Sequence, residues 1–269
     1  MSIQISQILY TYILNKQKLI NKKNCANDGV INRLLSSKIQ KNIDLLRVKS
    51  ELIKNSLKVI QDYEVLKKNS GVGFNLLKMF YIGETQHSYL LANLLNKDGS
   101  HGQGHLFLNA FLDKIGITRE RNDENWIVTA ETGRIDILLR RVYPHSVVIV
   151  ENKSNYAVDQ ENQLYRYWYQ EIYRRISERH LPAYYIEEPP EVFYQIIYLS
   201  PNSMKFPKTN SLSKPSNWDK TLPPIVPIKI KTLTFSKFIG DWLTDCLQDI
   251  PLTNYRVREY VKQYIEYWN

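Results

Sequence analysis

Cysteine is nearly absent from this chain: Cys25 and Cys246 are its only two. A disulfide framework needs more, and no cysteine pair has the spacing of a zinc site. Two ordinary thiols in a reducing compartment are the expectation. Long apolar runs are missing as well. None approaches the roughly eighteen residues that a membrane-spanning helix requires. The N-terminus carries Ile3, Ile5, Ile8 and Leu9 but no lysine before Lys16, so it lacks the basic start of a secretory signal. These absences predict a soluble, cytoplasmic protein with no membrane partner. Internal repeats and low-complexity tracts are also lacking. The glycine-punctuated stretch 99–104 lacks the lysine and hydroxyl of a nucleotide P-loop and reads as an ordinary loop. No arrangement of a serine or cysteine nucleophile is evident.

What is present bounds the answer from the other side. The chain has 269 residues, 43% of them apolar, enough for a packed core and a helical extension. Nineteen tyrosines suit surfaces that grip a partner, because tyrosine pairs an apolar body with a polar tip. Charge is uneven. Residues 1–80 hold 14 Lys+Arg against 5 Asp+Glu, a net of +9. Residues 81–269 hold 22 against 22, a net of zero. The excess positive charge therefore lies in the N-terminal third. It reads either as an electrostatic footprint for nucleic acid or as a solvated lysine-rich helix face.

From 31 to 68 apolar residues recur at helical spacing: Leu35, Ile39, Ile43, Leu46, Ile53, Leu57 and Ile60. This predicts an amphipathic helix that forms a hairpin or short coiled coil with residues 3–20. Asn27-Asp28-Gly29 marks the turn, and the break at Ser70-Gly71 marks a boundary between residues 1–70 and a domain over 71–269. Helices are then expected over 84–96 and 107–114, strands over 126–132, 134–141 and 146–153, and a long aromatic helix over 160–178. Further strands are expected over 193–199 and 225–234, a surface loop over 201–223, a helix over 237–247 capped by Ser236, and a last helix over 255–267. The order predicts an α/β fold, a mixed central sheet with helices on both faces.

The chemistry gathers between 131 and 167. Residues 146–153 read Ser-Val-Val-Ile-Val-Glu-Asn-Lys. The apolar run implies burial on both faces, and alternation puts Glu151 and Lys153 on one face. Buried charges need a reason: mutual pairing is one, a metal with a phosphate another. Asp136 sits inside an apolar strand, where aspartate is disfavoured. A salt bridge to a nearby arginine would explain it, and so would metal binding. Magnesium takes hard oxygen ligands, usually one or two carboxylates with waters and phosphate. Asp136 and Glu151 on adjacent strands would supply that pair. Gln163 and Tyr167 share a helical face at i, i+4. Glu131 is either a further ligand or a surface hairpin residue. His87 reads as a satisfied, partly buried histidine.

Arg134-Ile135-Asp136, Glu151-Asn152-Lys153 and Gln163-Leu-Tyr-Arg-Tyr167 together resemble the PD-(D/E)XK nuclease superfamily. The resemblance covers roughly 80–200. It extends to a bacterial branch with a Glu-x-x-His-Ser helix, here Glu84 to Ser88, and a His-Gly-Gln-Gly loop, here His101 to Gly104. The proline expected before the aspartate is Ile135. The resemblance implies a restriction-endonuclease-like fold, to which the N-terminal helical hairpin read from apolar spacing is an extension with no counterpart in the family core. It implies a Mg²⁺ site, with Mn²⁺ as a substitute, built on Asp136 and Glu151. Glu84 and the Asn152 carbonyl would be further ligands. Lys153 would help activate water on the metal, and Gln163 and Tyr167 would position the lysine or the DNA. The implied partner is DNA, with RNA as the alternative, and the implied setting is defence against foreign DNA. The N-terminal helices would add phosphate contacts or join copies or partner proteins. A non-cleaving nucleic-acid- or protein-binding module is the competing expectation, and the complete Asp, Glu, Lys set argues against it.

Overall fold

The computed structural model describes residues 11–16, 18, 29–71, 73–119, 121, 125–179 and 189–269. The chain divides into two units, Met1–Phe74 and Asn75–Asn269. In the first, helix α1 runs from Gly29 to Ser70. Lys67 and Lys68 occupy its last turn, where cations suit the negative end of the helix dipole. Its apolar side chains Leu46, Ile53, Leu57 and Ile60 are exposed. The expected hairpin partner, residues 3–20, lies largely outside the described residues, of which 11–16 are helical. Among the described residues no helix is long and apolar enough to cross a membrane.

The second unit is built on a five-stranded sheet in the order β1-β2-β3-β4-β5. The strands are β1 Trp126–Thr132, β2 Ile135–Arg141, β3 Ser146–Asn152, β4 Tyr194–Ser200 and β5 Ile230–Thr234. The first three pair antiparallel, and β4 and β5 add in parallel. Helices α2 (Glu84–Leu95), α3 (Leu106–Ile115), α6 (Gly240–Asp249) and α7 (Tyr255–Tyr267) cover one face. On the other lies one continuous helical segment. It starts as α4 (Gln163–Tyr167), passes through a π-helical turn (Trp168–Tyr173) and ends as α5 (Arg174–Glu178). It forms the crossover that parallel pairing of β3 and β4 demands. A mixed sheet with helices on both faces is the restriction-endonuclease-like arrangement expected from the sequence.

The central strands explain themselves. Every residue of β3 is buried: Val148 and Val150 join one core, Val147 and Ile149 the other. Arg141, also buried, is satisfied locally. Its guanidinium donates to the Pro144 carbonyl and Ser146 hydroxyl and lies 4.9 Å from the Trp126 ring. Gly116, at φ 78, closes α3 in the left-handed conformation that glycine adopts freely.

Three sequence expectations are corrected. The strand expected over 225–234 begins at Ile230, and Ile225 makes only an isolated bridge to Ser213. Thr234, not Ser236, caps the following helix: its hydroxyl accepts from the Lys237 N–H at 3.2 Å. That helix opens with a π turn over Phe235–Ile239, so the cap falls two residues earlier. The aromatic helix starts at Gln163 rather than 160, because Asn162 sits in the left-handed region at φ 56.

Candidate active site

The sheet brings the two acidic strand ends together. β2 runs antiparallel to β3, and Ile137 pairs with Val150. One step further, the start of β2 carries Asp136 and the end of β3 carries Glu151. Asp136 follows the alternation of Leu138 and Glu151 that of Ile149, and both those neighbours belong to the α4-side core. The Asn152 N–H donates to Asp136 Oδ2 at 2.5 Å, which fixes the aspartate across the ladder.

The turn before Asp136 is tightly specified. Thr132 pairs with Ile135 around a two-residue loop, Gly133 (φ 63) and Arg134 (φ 68). Positive φ at both central residues is the type I′ hairpin turn, whose twist matches the flanking strands. The Arg134 carbonyl accepts from the Tyr167 hydroxyl. That hydroxyl in turn accepts from Gln163 Nε2 at 2.8 Å, and Gln163 Oε1 accepts from the Gln160 N–H at 3.3 Å. The Gln-x-x-x-Tyr pair thus ties α4 to the turn that presents Asp136. Glu131, at φ 52, acts electrostatically on Asp136.

Glu151 and Lys153 form a buried ion pair at 2.6 Å, with each side chain 5% exposed or less. Glu151 uses Oε1 for the lysine. Its Oε2 is buried with no hydrogen-bond partner among the described residues. Burial raises the Glu151 carboxyl pKa, and Lys153 only partly offsets this. Burial alone would lower the Lys153 pKa, but Glu151, through charge and then hydrogen bonding, turns the net direction upward. The ammonium therefore stays charged. Asp136 is pushed up to about 8, first by burial and then by the charge of Glu151.

Asn152 faces the opposite side. Its Nδ2 donates to the Glu84 carbonyl at 2.7 Å and the Ser88 hydroxyl at 3.1 Å, which locks α2 onto β3. The Glu84 carboxylate accepts from the Asn155 and Ala157 N–H groups at 3.0 and 3.2 Å, ordering the loop that follows Lys153. Its charge also acts on Glu151 and Lys153. His87 lies elsewhere. It is fully buried among Phe235, Tyr264, Tyr267 and Trp268, with Nδ1 2.9 Å from the Tyr264 hydroxyl. Burial lowers its pKa to about 4. The 99–104 loop closes on itself: His101 Nδ1 accepts from the Gln103 N–H, so its Nε2 donates to the Asn96 carbonyl.

Two neighbours were not singled out from sequence. Asp159 is buried with Oδ1 4.0 Å from Lys153 Nζ. It accepts from the Tyr198 hydroxyl and the Lys208 N–H, both at 2.8 Å. Tyr198 is the register partner of Glu151 on β4. The only sequence hint was an aspartate six positions beyond Lys153, and the parallel crossover that brings β4 alongside has no local signature.

Among the described residues no group of three His, Cys, Asp or Glu is arranged to hold a metal ion. The donor chemistry nonetheless fits a hard cation. A buried carboxylate oxygen lacks a partner, and a second carboxylate beside it is held above its ordinary range. Two carboxylates are the protein share that Mg²⁺ usually takes.

No curated protein and no solved structure matched the chain. The family described as the PD-(D/E)XK nuclease superfamily matches residues 74–267, most of the chain and all of the sheet. Its matched region includes Asp136, Glu151 and Lys153. The chain belongs to the PD-(D/E)XK nuclease superfamily.

Proposed function

We propose that this protein is a metal-dependent nuclease that hydrolyses DNA phosphodiester bonds. The observation that carries the reading is Glu151: one oxygen 2.6 Å from Lys153, the other buried and without a hydrogen-bond partner among the described residues, at the strand end beside Asp136. A divalent cation, when bound, lowers the pKa of water and withdraws charge from a phosphate. Asp136 and Glu151 would hold it, Mg²⁺ by preference and Mn²⁺ as a substitute, with Glu84 and the Asn152 carbonyl completing the donor set. The charged Lys153 would stabilise negative charge developing on the scissile phosphate. Glu151 keeps the ammonium in place, so no reorganisation is needed during the reaction. Gln163 and Tyr167 would hold the turn that aims Asp136.

Residues 1–70 would serve as a basic extension that adds phosphate contacts, making DNA binding salt-sensitive. Reversing charge with Lys54→Glu and Lys58→Glu on α1 should lower the slope of log affinity against log salt. An unchanged slope would point to protein interaction instead.

The test is incubation of the pure protein with supercoiled, linear and single-stranded DNA and with RNA, in Mg²⁺, Mn²⁺ or EDTA. Metal-dependent cutting of DNA is expected. DNA bound but uncut under every condition would favour a non-cleaving binding module.

A further inference from the structure

Two tyrosines stand exposed at the edge of the carboxylate site. Tyr81 is 89% exposed and Tyr156 is 52% exposed. Core packing explains neither. Tyr156 lies three positions beyond Lys153 and adopts φ 61, in the left-handed region that non-glycine residues avoid. Such strain persists only where the surroundings hold it, and it clusters at functional sites. Here the surroundings do hold it. Asn202 Nδ2 donates to the Tyr156 hydroxyl at 2.6 Å. Lys205 donates to the Ala157 carbonyl, its Nζ 6.0 Å from the Tyr156 ring centroid. Tyr81 is pinned in the same way, its hydroxyl accepting from Asn155 Nδ2 at 2.9 Å. Tyr81 is thus fixed to the loop whose N–H groups bind Glu84, and Tyr156 is carried by that same loop.

We infer that Tyr81 and Tyr156 form a stacking platform for unpaired nucleobases beside the acidic site, so that single-stranded nucleic acid or a frayed end is the substrate class. This rests on the nuclease reading above. Inside an intact duplex each base face is covered by its neighbour, so an exposed ring stacks without an unstacking cost on an unpaired base. Rings already held by their hydroxyls lose little freedom on binding. Lys205 and Lys208, on the segment stitched to this loop, place positive charge near a backbone that follows the rings.

Fluorescence anisotropy of the full-length protein in EDTA separates binding from cleavage. The probes are a labelled single strand of about 16 nucleotides, the same backbone without bases, and a blunt duplex. Tyr156→Gly removes the ring while taking up the positive φ without strain, and Tyr156→Phe keeps the ring. Tyr81→Ala removes the other. Each ring removal should weaken single-strand binding roughly 5- to 150-fold and leave the base-free and duplex probes unchanged, while Tyr156→Phe, which keeps the ring and loses only the bond from Asn202, should show a much smaller loss. Equal single-strand affinity in the ring-deleted variants, or equal losses on all three probes, would overturn the platform. A wild-type protein that binds none of the probes would instead overturn the nucleic-acid reading beneath it.

Discussion

Lys153 Nζ lies 2.6 Å from Glu151 Oε1, while the other oxygen of that carboxylate is buried without a hydrogen-bond partner among the described residues. A buried ion pair kept for packing alone would be expected to satisfy both oxygens. The unsatisfied acceptor, with Asp136 beside it, is a stability cost that a bound cation would remove.

Asp136→Asn tests that cost. The Asp136 carboxyl sits at about 8, raised first by burial and then by Glu151. An acid whose folded pKa exceeds its unfolded value destabilises the protein as pH rises. The penalty is absent below the ordinary carboxylate range and complete above about 8. Asparagine keeps the acceptor for the Asn152 N–H. In EDTA at pH 8 the variant should therefore be more stable than wild type by about 1–3 kcal/mol, and the gain should vanish near pH 4. Mg²⁺ should raise the Tm of wild type and not that of the variant. Calorimetry with and without metal reads both; a variant less stable than wild type in EDTA at pH 8 refutes the repulsion.

Tyr167→Phe probes the turn ahead of Asp136. It removes the donor to the Arg134 carbonyl and the acceptor for Gln163. Losing these bonds should cost about 1–2 kcal/mol of stability. It should lower kcat by roughly 10-fold or more with a smaller change in KM, because a misplaced carboxylate harms chemistry before binding. Equal kcat in the two proteins would confine Tyr167 to packing.

His87 gives a second pH dependence of stability, opposite in sign to that of Asp136 and partly offset by it below pH 6.5. Its folded pKa of about 4 lies below the unfolded value, so its contribution is present in full above about 6.5 and is lost as pH falls toward 4. The loss can reach about 3 kcal/mol. His145, also lowered to about 4 by burial and then by Arg179 and Arg175, titrates over the same range. His87→Phe fits the surrounding aromatic rings and should flatten the fall in Tm between pH 6.5 and 4, with His145 retaining part of it. An unaltered slope in the variant would assign the acid sensitivity elsewhere.

Much of this site was legible because its parts are local or ride on antiparallel neighbours. The apolar run before Glu151 announced a strand buried on both faces. The short connection from Arg141 to Ser146 turns β3 back along β2, so Glu151 at its end returns to Asp136 at the start of β2. Asp159 and Tyr198 stayed hidden, since the parallel crossover through α4 and α5 alone brings β4 beside Glu151. The misplaced cap has a similar cause. Ser236 and Thr234 carry equivalent hydroxyls, and only the π turn from Phe235 decides between them. The Tyr167 hydroxyl, held by Gln163, donates to the β1–β2 turn at Arg134, a placement helical spacing alone does not specify.

The most direct measurement is single-turnover cleavage of labelled DNA by wild type, Asp136→Ala and Lys153→Ala, in Mg²⁺ and in EDTA, with circular dichroism confirming the fold of each. A two-carboxylate metal site with a charged lysine predicts cutting by wild type in Mg²⁺ alone and a loss of at least about 100-fold in each variant. Cutting that persists in EDTA, or wild-type rates in either variant, would contradict it.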